Sequence, residues 1–270
     1  MERIKQALEK ARQEQGAQPA ATINQPSTGE PGQTTASGPI VYSQTRTTKA
    51  RPEILARHRI IADQSPSPAA TAYNMLRTQV LQRMVAKGWN ALALTSPGPG
   101  QGKTLTAINL AISLAREVNY TVLLVDLDLR NPSIHRYFGL DIKAGISDFL
   151  LHGTPLSEIL VNPGIDSVVL LPGREPIINS SEMLSSPMMQ RLVEELKSRY
   201  PTRFVLFDLP PLLSAADALA FAPYVDAALM VIEEGGTTRE ELENAMTLLG
   251  QTQILGTVLN KSSEKITPYY

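Results

Sequence analysis

The chain has 270 residues, 43% of them hydrophobic, and a formal net charge of −1 at pH 7. That is enough apolar mass for a sizeable core, and there is no global positive field of the kind that draws nucleic acid. It contains no cysteine, which excludes disulfides, zinc–thiolate sites and cysteine nucleophiles and fits a reducing cytosol.

No run of about 18 apolar residues is present, and Met1-Glu2-Arg3-Ile4-Lys5 lacks the apolar core of a signal peptide. The expectation is a soluble cytoplasmic protein. Residues 1–15 favour helix by composition, with Ile4, Ala7, Leu8 and Ala11 on one face. That face suits a partner helix or a membrane surface, although a helix so short is barely stable alone. Residues 16–50 are rich in Gly, Pro, Ser, Thr and Gln, a composition that buries too little apolar surface to offset chain entropy. A basic patch follows, with Lys49, Arg51, Arg57, His58 and Arg59 around Ile54, Leu55, Ile60 and Ile61. It reads as a docking segment, a membrane-surface contact or simply a solvated face. Residues 16–64 are therefore assigned to a flexible linker or docking segment.

From residue 65 the pattern changes. A helix over 69–86 carries the stripe Tyr73, Leu76, Val80, Leu81 and Met84. Apolar strands are predicted at 91–95, 121–126, 167–171, 204–208, 227–233 and 254–259. Helices are predicted at 102–117, 131–138, 146–151, 188–197, 215–222 and 239–250. Alternation of this kind implies an α/β fold whose mostly parallel sheet carries helices on both faces, with ligands beyond the carboxyl ends of the strands. The domain is expected over 65–262 and a tail over 263–270.

The stretch Thr95-Ser96-Pro97-Gly98-Pro99-Gly100-Gln101-Gly102-Lys103-Thr104 stands between the first of these strands and the helix after it. Strand, glycine loop, Gly-Lys-Thr and helix make a phosphate-binding loop: a P-loop NTPase-like fold. Loop N–H groups and the helix start receive anionic oxygens. Lys103 reaches the outer phosphates and the Thr104 hydroxyl holds Mg²⁺. The usual spacing asks for glycine where this chain has Pro97, and Gly98, Gly100 and Gly102 supply the flexibility instead. The alternative is a Gly/Pro turn that happens to precede Lys-Thr.

Two further strands end in acids. Val122-Leu123-Leu124-Val125 runs into Asp126, Asp128 and Arg130, and Phe204-Val205-Leu206-Phe207 runs into Asp208. Spacing of two puts Asp126 and Asp128 on one strand face. Mg²⁺ takes a few oxygen ligands plus waters and phosphates, which leaves one acid for proton transfer. A solvated strand end or helix cap is the alternative for Asp126 and Asp128. Arg130 pairs with these acids, forms a structural ion pair, or meets a phosphate bidentately. His135 and His152 lie far from any ligand-like spacing and read as surface residues.

These three segments, with Tyr73-Asn-Met-Leu-Arg-Thr, Gly145-Ile-Ser-Asp-Phe-Leu, the stretch 179–186 and Leu259-Asn-Lys, resemble bacterial tyrosine kinases of the exopolysaccharide- and exosortase-associated autokinase type. The resemblance covers roughly 65–262. It implies an ATP- and Mg²⁺-dependent protein tyrosine kinase that autophosphorylates a C-terminal tyrosine cluster in neighbouring subunits and regulates polysaccharide polymerisation and export. It implies a membrane-spanning co-polymerase, or chain-length determinant, whose cytoplasmic tail activates the kinase at the inner face of the plasma membrane. It also implies residue roles: Asp126 as base towards the tyrosine hydroxyl, with Lys103, Asp128 and Asp208 completing the catalytic set. Thr104, Asp128 and Asp208 serve Mg²⁺. Gly98, Gly100, Gln101, Gly102, Lys103, Thr104, Leu105, Arg130 and Asn260 bind the nucleotide, and Tyr269 and Tyr270 are the acceptors. Tyr42 is a further candidate for modification, whereas Tyr73, Tyr120, Tyr137, Tyr200 and Tyr224 read as packing residues.

Three departures stand out. The family's oligomerisation signature, Glu and Arg three apart before a second Arg, falls here on Thr71, Asn74 and Arg77. Leu209 replaces the usual Ser or Thr after the strand-end aspartate. The tyrosine cluster is only Tyr269-Tyr270. The competing readings are a partitioning-type P-loop ATPase and a non-catalytic nucleotide-binding adaptor of an export complex. The ATPases usually carry an early loop lysine where this chain has Gly98.

Overall fold

The computed structural model describes residues 45–61, 67–250 and 252–263. They belong to one compact unit, Ile40–Tyr270. The helix expected over 1–15, the stretch 16–44 with Tyr42, and the expected acceptors Tyr269 and Tyr270 lie outside the described residues.

In chain order the elements are β1 (Arg46–Thr47), α1 (Pro52–Arg57), α2 (Pro68–Lys87), β2 (Ala91–Thr95), α3 (Lys103–Ala115), β3 (Thr121–Asp126), α4 (Ile134–Tyr137), α5 (Ile146–His152), α6 (Leu156–Ile159), β4 (Val161–Asn162), β5 (Val168–Leu171), α7 (Ser180–Leu184), α8 (Pro187–Ser198), β6 (Arg203–Asp208), α9 (Asp217–Phe221) with a 3₁₀ turn at Ala222–Tyr224, β7 (Ala227–Glu233), α10 (Arg239–Leu249) and β8 (Ile254–Asn260). The strands form one sheet in the order β1-β4-β5-β3-β6-β2-β7-β8. Every pairing is parallel except β4 with β5.

The central strands read as continuous apolar runs because both their faces are covered. Side chains alternate between the two layers. Ala91, Ala93, Leu123, Val125, Val205 and Phe207 enter one core, beneath α5, α8, α9 and α10. Leu92, Leu94, Val122, Leu124, Phe204 and Leu206 enter the other, beneath α2 and α3. Helix α3 is buried along nearly its whole length, which explains its lack of a polar face. Helix α2 starts at Pro68 behind a Ser67 cap and stops at Gly88, which takes a left-handed φ of 68°.

The structure carries the domain further towards the N-terminus than residue 65. Arg46 and Thr47 pair in parallel with Val161 and Asn162. Leu55, Ile60 and Ile61 are buried. The Asn109 side chain on α3 accepts from Ile61 N (2.9 Å) and donates to Arg59 O (3.1 Å). The apolar residues of the basic patch are thus a strap over one core, while Lys49, Arg51, Arg57 and Arg59 stay exposed. Strands β1 and β4 are two residues each, too short to show a period. The helix expected over 131–138 is cut to four residues because Pro132 and the Asp126 carboxylate fix its start. Among the described residues no helix is long and apolar enough to cross a membrane.

Candidate active site

The carboxyl ends of β2, β6 and β3 converge on one spot. β2 lies directly beside β6, and β6 beside β3, with Leu94 opposite Asp208 and Asp208 opposite Asp126. The loop 96–102 leaves β2 there. Gly100 and Gly102 take φ values of 76° and 90°, a region other residues enter at a cost. A Cβ on Gly102 would also overlap Asn260 Nδ2. Pro97 fits because the loop uses only its carbonyl, which accepts from Leu213 N at 3.1 Å. Gly98 O accepts the Ser96 hydroxyl at 2.7 Å. Gln101 is buried and its Oε1 has no partner. Leu105, on the first turn of α3, is partly exposed.

Lys103 begins α3 and sits between two acids. Its Nζ lies 2.9 Å from Asp128 Oδ2 and 3.5 Å from Asp208 Oδ1. Burial pushes the ammonium down, but Asp208 and Asp128 together more than offset it and hold Lys103 above its usual range. The Thr104 hydroxyl donates to Asp208 Oδ2 at 2.6 Å. Asp208 is wholly buried, and burial raises its pKa.

Asp126 is also wholly buried. Its Oδ2 accepts from the backbone N–H of Ser133 (2.8 Å) and Ile134 (2.9 Å), capping α4. Its Oδ1 has no hydrogen-bond partner. Desolvation first, and the neighbouring Asp208 second, push Asp126 up to about 7. Asp128 instead accepts from Asn131 N (3.2 Å) and Lys103. The helix cap weighed in the sequence is thus made by Asp126, through one oxygen only.

Arg130 does not reach this acid pair. Its Nε donates to Ser180 Oγ (3.1 Å) and to both oxygens of Asp217 (3.2 Å each). Asn260, at the end of β8, donates from Nδ2 to Gln101 O at 2.9 Å, which ties β8 to the phosphate loop. Just beyond it, Glu234 accepts from Ser263 N and Oγ at 2.5 and 2.9 Å. Asp217 and Glu234 escaped the sequence reading, and Ser180 and Ser181 entered it only as part of the stretch 179–186. The signal for Asp217 is a lone acid in the run Ala215-Ala216-Asp217-Ala218-Leu219-Ala220, where burial is expensive without a partner.

The remaining sequence-level candidates sort plainly. His152 is exposed, whereas His135 is half-buried and its Nδ1 lacks a partner. Tyr200 is 43% exposed rather than packed inside, with the Arg203 guanidinium 3.9 Å from its ring centroid. Arg77, the surviving member of the oligomerisation signature, is held within the chain by Glu117 (2.9 Å).

Hard divalent cations bind oxygen donors, and this cluster offers the Thr104 hydroxyl with the carboxylates of Asp128 and Asp208. Asp208 Oδ1 is buried and makes no hydrogen bond. The donor set therefore fits a Mg²⁺ ion. Among the described residues no group of three His, Cys, Asp or Glu could cage an ion alone. A cation here would need further oxygens from water or a bound anion.

A family model described as AAA domain matches residues 91–253. The tyrosine-protein kinase YwqD of Bacillus subtilis (strain 168) is 30% identical over 214 residues, covering 78% of this chain and 89% of that protein. The putative tyrosine-protein kinase EpsB of Ralstonia solanacearum is 33% identical and is matched over 79% of this chain. The chain spans only 28% of EpsB's length. Among solved structures, the kinase domain of Escherichia coli tyrosine kinase ETK is 26% identical, covers 83% of this chain and 91% of that one, and superposes with a TM-score of 0.68.

Proposed function

Because the chain belongs to the bacterial tyrosine-kinase family, we propose that it is an ATP- and Mg²⁺-dependent autokinase that phosphorylates Tyr269 and Tyr270 and thereby regulates exopolysaccharide polymerisation and export. The observation that carries this reading is the division of labour among the acids. Asp128 and Asp208 hold Lys103 and Thr104, while Asp126 keeps one buried oxygen without a partner.

Nucleotide phosphates enter the loop 98–105, where backbone N–H groups and the start of α3 receive them. Lys103 Nζ then turns from the carboxylates towards the outer phosphates. Thr104, Asp128 and Asp208 would hold Mg²⁺, which would supply charge neutralisation for phosphoryl transfer. A tyrosine hydroxyl titrates near pH ~10, so attack at neutral pH needs an acceptor for its proton. Asp126 Oδ1 takes that proton, and its pKa near 7 suits the exchange. Asp126 Oδ2 stays on the α4 amides and fixes the carboxylate's direction. Most of the acceleration is positioning and charge neutralisation. Asn260 closes the loop from the side where the nucleotide base lies.

The activator is the cytoplasmic tail of a membrane-spanning co-polymerase, which brings this cytoplasmic chain to the inner face of the plasma membrane. Residues 1–44 belong to an N-terminal docking and linker region, and 263–270 to the acceptor tail.

The test incubates the purified chain with Mg²⁺-ATP, with and without that tail, and maps phosphotyrosine by mass spectrometry. Labelling at Tyr269 and Tyr270 is expected, and Lys103→Met is expected to lower it by about a hundredfold or more. Phosphate release without phosphotyrosine would point to a partitioning-type ATPase. Nucleotide binding with neither would point to an adaptor.

A further inference from the structure

Asp217 is wholly buried, yet it is absent from the loop, the acid cluster and the metal ligands. It lies at the start of α9, and its carboxylate gathers donors from two other elements. The Ser181 hydroxyl donates to Oδ1 at 2.6 Å. Arg130 presents Nε to both oxygens (3.2 Å each) and Nη2 to Oδ1 (3.1 Å). Ser180 Oγ accepts from the same Nε. Burial pushes Asp217 up, but the hydrogen bonds from Ser180, Ser181 and Arg130 more than offset it, so the carboxyl stays below its usual range and is charged.

Three groups from α7 and α9 thus fix one guanidinium, whose side chain is still 52% exposed. Among the described residues Nη1 of Arg130 has no hydrogen bond or ion pair. An arginine held by one edge presents the other as a rigid anion-reading fork.

The sheet order places Arg130 relative to the rest of the site. Running across the carboxyl ends, Asn260 stands on β8, the phosphate loop on β2, Asp208 on β6, and Asp126, Asp128 and Arg130 on β3 and its following loop. Arg130 therefore stands on the opposite side of the phosphate loop from Asn260, beyond the strand-end acids.

We propose that Asp217 is a positioning residue for phosphotransfer: it locks Arg130 on the acceptor side of the site, where the guanidinium binds the incoming acceptor chain rather than the nucleotide. This rests on the autokinase reading and assigns a further contact within it. Ser181 supports the same carboxylate.

Two full-length chains separate the roles. A Tyr269→Phe/Tyr270→Phe chain serves as enzyme and a Lys103→Met chain as acceptor. Phosphotyrosine on the acceptor is measured against acceptor and ATP concentration. In the enzyme chain, Asp217→Asn and Arg130→Ala are each expected to raise KM for the acceptor about tenfold or more, with KM for ATP within about twofold. The double variant should be no worse than Arg130→Ala alone, because Asp217 acts through Arg130. Ser181→Ala should give a smaller rise of the same kind. Arg130→Ala leaves the buried Asp217 carboxylate without its cation, so Arg130→Lys, which keeps that charge and loses the fork, is run beside it and is expected to raise the acceptor KM in the same way.

An unsubstituted chain that forms no phosphotyrosine overturns the autokinase reading, and this proposal with it; a chain that labels itself but never a second copy overturns this proposal alone. Labelling with acceptor KM unmoved by either variant overturns the proposal alone. So does a rise confined to the KM for ATP, which would make Arg130 a nucleotide ligand. A structural role for Asp217 would lower the melting temperature and the active fraction and leave both KM values in place.

Discussion

The two oxygens of Asp126 meet opposite demands. Oδ2 is stabilised by two amide donors, while Oδ1 is buried with no partner and faces a second buried acid across one strand pairing. The native state therefore holds the proton more tightly than the unfolded chain does. A pKa raised from 3.8 to about 7 gives a contribution that is complete below pH ~4 and is lost as pH rises through 7, up to about 4 kcal/mol. In EDTA and without nucleotide, the chain should be less stable at pH 8 than at pH 6. Asp126→Asn removes this slope and keeps an oxygen for the α4 amides. It leaves one buried amide donor unpaired, which costs about 1–2 kcal/mol. The variant should therefore gain about 2–3 kcal/mol at pH 8, about half of that at pH 6 and nothing by about pH 5, while phosphotyrosine formation is lost. Urea melts at the two pH values check it, and parallel slopes for both chains would remove Asp126 as the source. Asp126, Asp128 and Asp208 were legible in the sequence because each ends or follows an apolar strand. What was not legible is the split within one side chain, since which oxygen caps α4 depends on how Pro132 turns the chain. The Arg130 partner was equally hidden, because Asp217 is 87 residues away.

At the scale of elements, the strap 46–61 is the piece whose behaviour separates a linker from a structural part. Leu55, Ile60 and Ile61 are each less than a tenth exposed, and Asn109 bonds the strap to the same helix that starts at Lys103. Asn109→Ala leaves the buried Ile61 N–H without its partner, at a cost of about 1–3 kcal/mol. Deleting residues 1–44 should leave the melting temperature nearly unchanged, whereas deleting 1–66 uncovers that core face and should lower it by about 10 °C or cause aggregation. Equal melting temperatures for the two truncations would return 46–61 to the linker. The reason for the misreading is physical. An apolar residue among arginines carries no record of what it packs on, and strands of two residues have no period. The six strands of the parallel core and the helices between them were legible because each is long enough for its burial pattern to repeat, and because α3 and β2 are apolar on every face that the sheet covers.

The whole molecule sets how far its own tail can reach. The described chain ends at Ser263, which Glu234 holds beside Asn260 at the β8 end of the site. The acids and Arg130 lie on β6, β3 and the loop that follows β3, and β8 and β3 are separated by β7, β2 and β6. Four strand spacings span roughly 19 Å. Tyr269 lies six residues past Ser263, a contour of about 21 Å at full extension. A straight tail would have to cross the phosphate loop, where the nucleotide sits, and still arrive with its hydroxyl aimed at Asp126. The tyrosine side chain extends this reach, yet a detour around the bound nucleotide leaves little slack for aiming the hydroxyl. The acceptor tyrosines should therefore be served by a second copy, although Arg77, the remaining arginine of the oligomerisation signature, is already taken by Glu117. Mixing a Lys103→Met chain, which keeps its tyrosines, with a Tyr269→Phe/Tyr270→Phe chain, which keeps its site, should restore phosphotyrosine on the first. The rate per enzyme should rise with total chain concentration, as an encounter between copies requires. A mixture that stays unlabelled while the unsubstituted chain labels itself at a concentration-independent rate would mean transfer within one chain, and would require Ser263 to leave Glu234 before the tail can act.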